Sequence, residues 1–338
     1  MKKLLFILTV ALVSGFSKSY AQTKFVATLT HGDQIKTYYG AGAFESAHNA
    51  AKSGDIITLS GGSFTGFTIT KAVTVRGAGI DDGSTRISSS MSINIPESDT
   101  CRFSIEGVRF AKDYSLYLYG SCSEPHFIKC KFGYLNFYDN NDYNASAIKD
   151  AMFVNCRIDQ GLNMRGSTTA MFSHCYVYEY VNYESYSSKA QFINCIVRGY
   201  LHNFCRSTFV NSIIWGCGIS NYGLPSLPAE TVAMNCTAFN FYGGAYLNSN
   251  IYSKMQGSQV DCTTSETEEL FKNTDTFELN DEAKAKFLGT DGTEIGLYGG
   301  QYPYNTIPAY PRITKLNVAK QSTADDKLSV EIEVSAAE

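Results

Sequence analysis

Three kinds of residue in this chain have the chemistry to act on or hold a ligand: neighbouring carboxylates, histidines, and a concentration of tyrosines. Glycoside hydrolysis needs two carboxyl groups flanking the scissile bond. Asp81-Asp82 supply an adjacent pair, but Gly83 follows at once, and a turn accounts for them. Asp139-Asn140-Asn141-Asp142 form an oxygen-rich stretch, in which Asp139 and Asp142 are the candidate ligands for Ca²⁺. The spacing and the Gly of an EF-hand loop are absent, so a solvated loop is the plainer reading. No CxxC pair occurs, which removes the support for structural zinc. No other cofactor is called for.

The tyrosines are the more suggestive feature. The chain has 23 Tyr and 21 Phe but one Trp, and many of the Tyr crowd into residues 114–200. Tyr117, Tyr119, Tyr138, Tyr176, Tyr178 and Tyr180 are the candidate binding residues. In Tyr176-Val177-Tyr178-Glu179-Tyr180, alternation puts Val177 inward and Tyr176 and Tyr178 outward, with Tyr180 following if the strand runs on. A sheet face paved with Tyr offers flat apolar surface and hydroxyls together, suited to stacking on sugar rings or to protein contact. The competing reading is that aromatics simply favour strands.

The elements that would position these residues follow from an internal repeat. The unit is Phe-x-Asn-Cys-x-apolar. It occurs as Phe127-Ile128-Lys129-Cys130, Phe153-Val154-Asn155-Cys156, Phe172-Ser173-His174-Cys175 and Phe192-Ile193-Asn194-Cys195. Phe209-Val210-Asn211-Ser212 replaces Cys by Ser, and Ala233-Met234-Asn235-Cys236 is a degenerate copy. Copies lie 17 to 26 residues apart, the drifting period of one solenoid coil with variable turns. Phe points inward, the next residue outward, and Asn breaks the alternation. Asn tolerates the left-handed conformation and suits a sharp bend, after which Cys points inward. His174 stands in the Asn slot, so a bend role is preferred to acid–base catalysis. Stacked coils would place Phe on Phe and Cys on Cys. Asn155, Asn194, Asn211 and Asn235 could then bond their amides in a ladder.

Upstream, Thr37 to Lys52 reads as one amphipathic helix, with Phe44, Ala47, Ala50 and Ala51 on a common face and Gly54 at its C-cap. Short strands rich in Val, Ile and Thr follow: Ile56–Leu59, Phe67–Thr70 and Ala72–Arg76. The stretch Ala47 to Gly79 combines Ala-x-x-Ala-Ala-Lys-x-Gly-Asp-x-Ile-x-Leu, then Gly-x-Phe, then Val-Thr-Val-Arg-Gly-Ala-Gly. It resembles the opening of right-handed parallel β-helix proteins of the pectin-lyase-like superfamily. The Asn-Cys repeats resemble that family's bend ladder, and Asp291 to Gly300 resembles a closing segment of secreted bacterial β-helix proteins. The resemblance implies an all-β, right-handed parallel β-helix with an N-terminal capping helix. It implies little about function, because the same coil carries lyases, hydrolases and adhesins. A lyase of this kind would use Arg or Lys beside Ca²⁺. The family's hydrolase signatures, Asn-Thr-Asp, Asp-Asp and Gly-His-Gly, do not occur here in order.

Only 18% of the 338 residues are charged, against about 25% in an ordinary soluble domain. With so many aromatics, that composition excludes disorder. Met1 to Ala21 read as a secretory signal peptide: Lys2 and Lys3, an apolar run from Leu4 to Val13, and Ser19-Tyr20-Ala21 before the cut. The run falls well short of the ~20 residues a membrane span needs. The expected destination is the periplasm, the cell surface or the medium. The net charge of −4, more negative once Lys2, Lys3 and Lys18 leave with the leader, gives no case for nucleic acid.

Ten Cys in a secreted chain would ordinarily suggest disulfides. Cys130, Cys156, Cys175, Cys195 and Cys236 share one repeat position, however, and read as a reduced internal stack. Cys101–Cys122 and Cys205–Cys217 are the nearest pairs among the rest. Pro303, Pro308 and Pro311 mark a break before a C-terminal hairpin, expected to pack on the last coils or to form an edge. The organisation read from sequence is thus a leader (1–21), an N-terminal segment with a capping helix (22–54), a β-helix (55–302) and a hairpin tail (303–338). The expected function is non-catalytic binding of a glycan or another extracellular partner by a monomer. The alternative is a polysaccharide lyase or glycoside hydrolase with a divergent site.

Overall fold

The computed structural model describes residues 25–335 except 82, 120–121, 123, 139–147, 184–187, 203–206, 221–231, 240–258, 266–269, 319–326 and 328–329. The chain winds into a parallel β-solenoid with two long sheets. Ile56–Leu59, Thr74–Arg76, Ser104–Glu106, His126–Ile128, Ala151–Val154, Thr169–Ser173, Lys189–Ile193, Ser207–Val210 and Val232–Met234 succeed one another in the first sheet, all parallel. After each bend the chain enters the second sheet, whose longest strands are Lys131–Tyr138, Arg157–Met164, Ile196–His202 and Ile213–Ser220.

The repeat fixes this register. Phe127, Phe153, Phe172, Phe192 and Phe209 are direct neighbours across successive strands. Their rings stack at 4.8, 4.8, 5.0 and 4.9 Å, and all five are fully buried. Each buried ring contributes roughly 1.5–3 kcal/mol by leaving water, and each stacked pair about 0.5–1.5 kcal/mol more. No coil could bury such a ring alone.

The bend adopts the left-handed backbone expected of it. Asn155, His174, Asn194, Asn211 and Asn235 have φ of 53°, 52°, 51°, 50° and 48°, and Lys129 joins them at 52°. The Cys that follows is buried and reduced in every described copy. Its role exceeds filling space. The backbone N–H of Cys156 donates to Cys175 Sγ at 3.4 Å, that of Cys175 to Cys195 Sγ at 3.4 Å, and that of Cys195 to Ser212 Oγ at 3.1 Å. Each thiol also donates to carbonyls, as Cys175 does to the oxygens of Phe153 and Ser173. The slot needs a small side chain that both accepts and donates, which explains why Ser212 fills it as well as Cys does. Burial pushes the Cys130 and Cys175 thiols up, away from reactive thiolate.

Several expectations change. The N-terminal helix, α1, spans Ala43–Ala50, shorter than the 37–52 read from sequence. Thr37 to Tyr39 instead belong to the strand Gln34–Tyr39, which pairs antiparallel with Val26–His31, and that strand pairs in turn with Ile56–Leu59. Hydrogen bonding across this hairpin outweighs the helical pattern of its last residues. Phe44 and Ala47 of α1 are buried against the first coils. Cys101 and Cys122 form no disulfide, since Cys122 faces the core and Cys101 faces solvent. The pair Cys205–Cys217 falls outside the described side chains.

The largest departure is at the C-terminal end. Residues 270–311 leave the coil and run back along the outside of the solenoid as a strap. The strap includes a short helix, α2, at Asp281–Lys286, capped by Asn280 Oδ1 accepting from the Ala283 N–H at 2.8 Å. The strap starts beside the late coils, where Asn235 Nδ2 donates to Leu288 O at 3.5 Å. It finishes against the early ones, where the Tyr310 hydroxyl donates to Gly77 O and the Ala309 N–H to Glu106 Oε1. The residues leading to the terminal hairpin, Arg312–Val318 with Val330–Ser335, therefore lie on the first coils rather than the last.

Candidate ligand-binding surfaces

Glycines divide the outside of the second sheet into two faces. Register shifts between Phe132 and Tyr134 and between Arg198 and Tyr200 bend the strands there. A Cβ on Gly133 would come within 2.1 Å of Lys112 O, and one on Gly199 within 2.2 Å of Glu179 O. On Gly161 it would meet the Tyr180 ring at 2.4 Å. Only Gly lets the strand corner pass so close.

Beyond the corner lies a face that, among the described residues, nothing covers; it is called the open face. Tyr117, Asn136, Asn163 and Asn182 are neighbours in register. Asn163 Nδ2 donates to Asn136 Oδ1 at 2.7 Å and to the Tyr180 hydroxyl at 3.3 Å. Asn182 Nδ2 donates to Asn163 Oδ1 at 3.3 Å. An amide ladder thus exists, but on the sheet face and not at the bend. The Tyr117 and Tyr119 rings stack at 6.0 Å, and with Tyr180 they are half-buried beside the amides. The alternation of strand residues in the sequence is compatible with this ladder, but the Asn spacing of 27 and 19 residues was hidden by the stronger Phe-Cys repeat.

Before the corner lies a covered face. Arg157, Tyr176, Ile196, Ile213 and Thr237 are aligned there. Tyr176 does point away from the solenoid core, as alternation requires, yet it is 3% exposed. Phe277 of the strap stacks on it at 4.3 Å. Ile196, Ile213 and Trp215 join Phe277, Leu279, Phe287, Ile295 and Leu297 in a second apolar core. Tyr176 is thereby removed from the binding residues expected of the sequence. Tyr178 stands at the corner, 38% exposed, with the Arg198 guanidinium 5.0 Å over its ring. Tyr138 lies on its strand in register with Tyr119, its side chain outside the described set. Asp139 and Asp142 lie outside the described residues.

Among the described residues, His174, Asn211 and Asn235 bond the strap from the bend, and no bond joins one bend amide to another. Asn211 Oδ1 accepts from the Thr290 N–H at 3.0 Å, and its Nδ2 donates to Thr290 Oγ1 at 3.2 Å. His174 Nε2 bonds Gly299 O at 2.9 Å and its Nδ1 the Ser173 hydroxyl at 2.9 Å. Burial lowers the His174 pKa, against the Gly299 carbonyl and Asp291, which act to raise it. Asp81, weighed above as a carboxylate pair with Asp82, accepts from the Thr306 hydroxyl at 2.9 Å, which ties it to the strap.

Where the strap leaves the bend row it roofs a cleft of about 740 Å³. Its floor carries Lys131, Asn155, Arg157 and Tyr176, and its roof Phe277, Tyr298, Tyr302 and Tyr304. Arg157 Nε and Lys131 Nζ share Asp159, at 2.5 and 3.0 Å. The Arg157 guanidinium lies 5.1 Å over the Tyr176 ring. Burial pushes the Tyr304 hydroxyl up, so it stays a neutral donor. Among the described residues no three His, Cys, Asp or Glu side chains are placed to hold a metal ion.

No protein-family model matches this chain, and no curated protein or solved structure matches it. The parallel solenoid rests on its own strand order and register, and these comparisons lend no support to the pectin-lyase-like resemblance.

Proposed function

We propose that this chain is an exported protein, led out by residues 1–21, that binds glycan without catalysis along the open Tyr–Asn face. The observation that carries this reading is the in-register amide row Asn136–Asn163–Asn182 flanked by Tyr117, Tyr119 and Tyr180, left uncovered by the described residues while its neighbour is sealed. Amides donate and accept, and so match sugar hydroxyls. Tyrosine rings meet the apolar C–H faces of pyranoses. A row repeating at the strand spacing of ~4.8 Å suits an extended chain of sugars better than a compact ligand. The right hand of the coil belongs to the same reading, because parallel crossovers within one sheet are right-handed in nearly all known cases.

Retention on immobilised glycans tests the proposal. Tyr117→Ala and Asn163→Ala are each expected to weaken retention roughly fivefold, the loss of about 1 kcal/mol of hydrogen bonding or stacking. Retention of the unaltered protein on no glycan, or undiminished retention of both variants, would reject the face. Export is tested by sequencing the N-terminus of the protein outside the cell, expected to begin at Gln22.

A further inference from the structure

We infer that the cleft beneath the strap is a second binding site, separate from the open face, and that it takes a short uncharged saccharide. A volume of about 740 Å³ falls within the range of small-ligand sites, roughly 300–1,000 Å³. Three features of its lining define the ligand.

The first is hydrogen-bonding capacity left unused by the protein. Among the described residues Arg157 bonds Asp159 through Nε, and its two Nη groups remain as donors. Among the described residues Lys131 has Asp159 as its one charged partner. Asn155, 7% exposed and part of the floor, keeps Oδ1 with no hydrogen-bond partner. A buried acceptor in that state is destabilising until a donor reaches it. A ligand must therefore donate to Asn155 and accept from Arg157 at close range. Hydroxyl groups do both.

The second is charge. Lys129, Lys131 and Arg157 are balanced by Asp81 and Asp275 in the lining and by Asp159 behind it. Lys129 is further tied to Ile307 O at 2.5 Å. An anionic ligand finds no surplus of positive charge, and a cation none of negative. The third is the aromatic wall. Tyr176 and Phe277 close the inner end by stacking on each other, and Tyr302, 73% exposed on the rim, gives a sugar ring apolar surface to rest on.

Titration calorimetry with maltotriose, cellotriose, mannotriose and xylotriose tests the site, with trigalacturonate as the charged comparison. At least one neutral trisaccharide should bind. Asn155→Gly should weaken it fivefold or more. Glycine accepts the φ of 53° at this bend, so the coil survives. Tyr302→Ala should weaken binding twofold to fivefold and cannot unfold the protein from so exposed a position. The inference is overturned if no neutral trisaccharide binds at millimolar concentration, or if only trigalacturonate binds. It also fails if Asn155→Gly and Tyr302→Ala both leave the affinity intact. Binding abolished by Tyr117→Ala but untouched by the cleft variants would belong to the open face, and would overturn the cleft while upholding that face.

Discussion

The two outward faces of the second sheet are built from the same strands, a few residues apart, and have opposite fates. Arg157 and Asn163 stand on one strand; the first lies under the strap and the second is covered by no described residue. Both obey the same inside–outside alternation. The difference is supplied by residues 270–311, more than a hundred positions further on. Pointing away from the core of a solenoid is therefore a different property from being exposed. A tyrosine on such a sheet is a binding residue only where nothing else in the chain covers it.

Stability measurements on matched truncations cut deepest into this contrast. Tyr176→Ala, losing its stack on Phe277, is expected to cost about 3–5 kcal/mol in urea unfolding. Tyr117→Ala should cost about 1 kcal/mol or less. Equal losses would mean that the faces do not differ in cover. A smaller effect follows from Asn211→Gly, which keeps the left-handed bend but removes both bonds to Thr290. It should weaken strap docking by about 1–2 kcal/mol, read as faster amide exchange in residues 288–300 with the Phe stack still protected.

The strap should also respond to pH where the open face does not. The unfolded His174 titrates near 6.5, and burial lowers that value in the folded protein. The docked strap is thus at full strength above pH 6.5 and loses stability as pH falls below it, while His174 resists its proton. Amide exchange at residues 296–300 that stays constant from pH 7.5 to 5, after correction for intrinsic rates, would remove His174 from the docking account. The smallest effect is expected inside the solenoid. Cys175→Ser should cost about 1 kcal/mol or less, because Ser212 already accepts the preceding N–H from the same slot.

Much of the coil was legible because its causes are local. Phe153, Val154, Asn155 and Cys156 encode in, out, bend and in through side-chain alternation and the tolerance of Asn for positive φ. The strap was illegible for the opposite reason. Its contacts join side chains to backbone atoms far away in sequence, such as Tyr310 to Gly77, and no period announces them. Asp291 to Gly300 was read by resemblance as a closing segment, yet its sequence gave no hint that Gly299 would meet His174. The open face lay between these cases. Its tyrosines stood out in composition, whereas the amide row became visible only once Asn136, Asn163 and Asn182 were aligned.

The lengthwise strap also sets an order of assembly. A solenoid whose coils touch only their neighbours can form progressively as the chain emerges, from either end or the middle. This one cannot finish that way. Until residues 277–297 have been made, Tyr176, Ile196, Ile213 and Trp215 form a greasy stripe along a nearly complete solenoid. The final closure joins positions up to 233 residues apart, the kind of distant pairing that folds late. During that interval the nascent chain is sticky, and anything that shields the stripe, such as a chaperone, would decide how much of it reaches the native state.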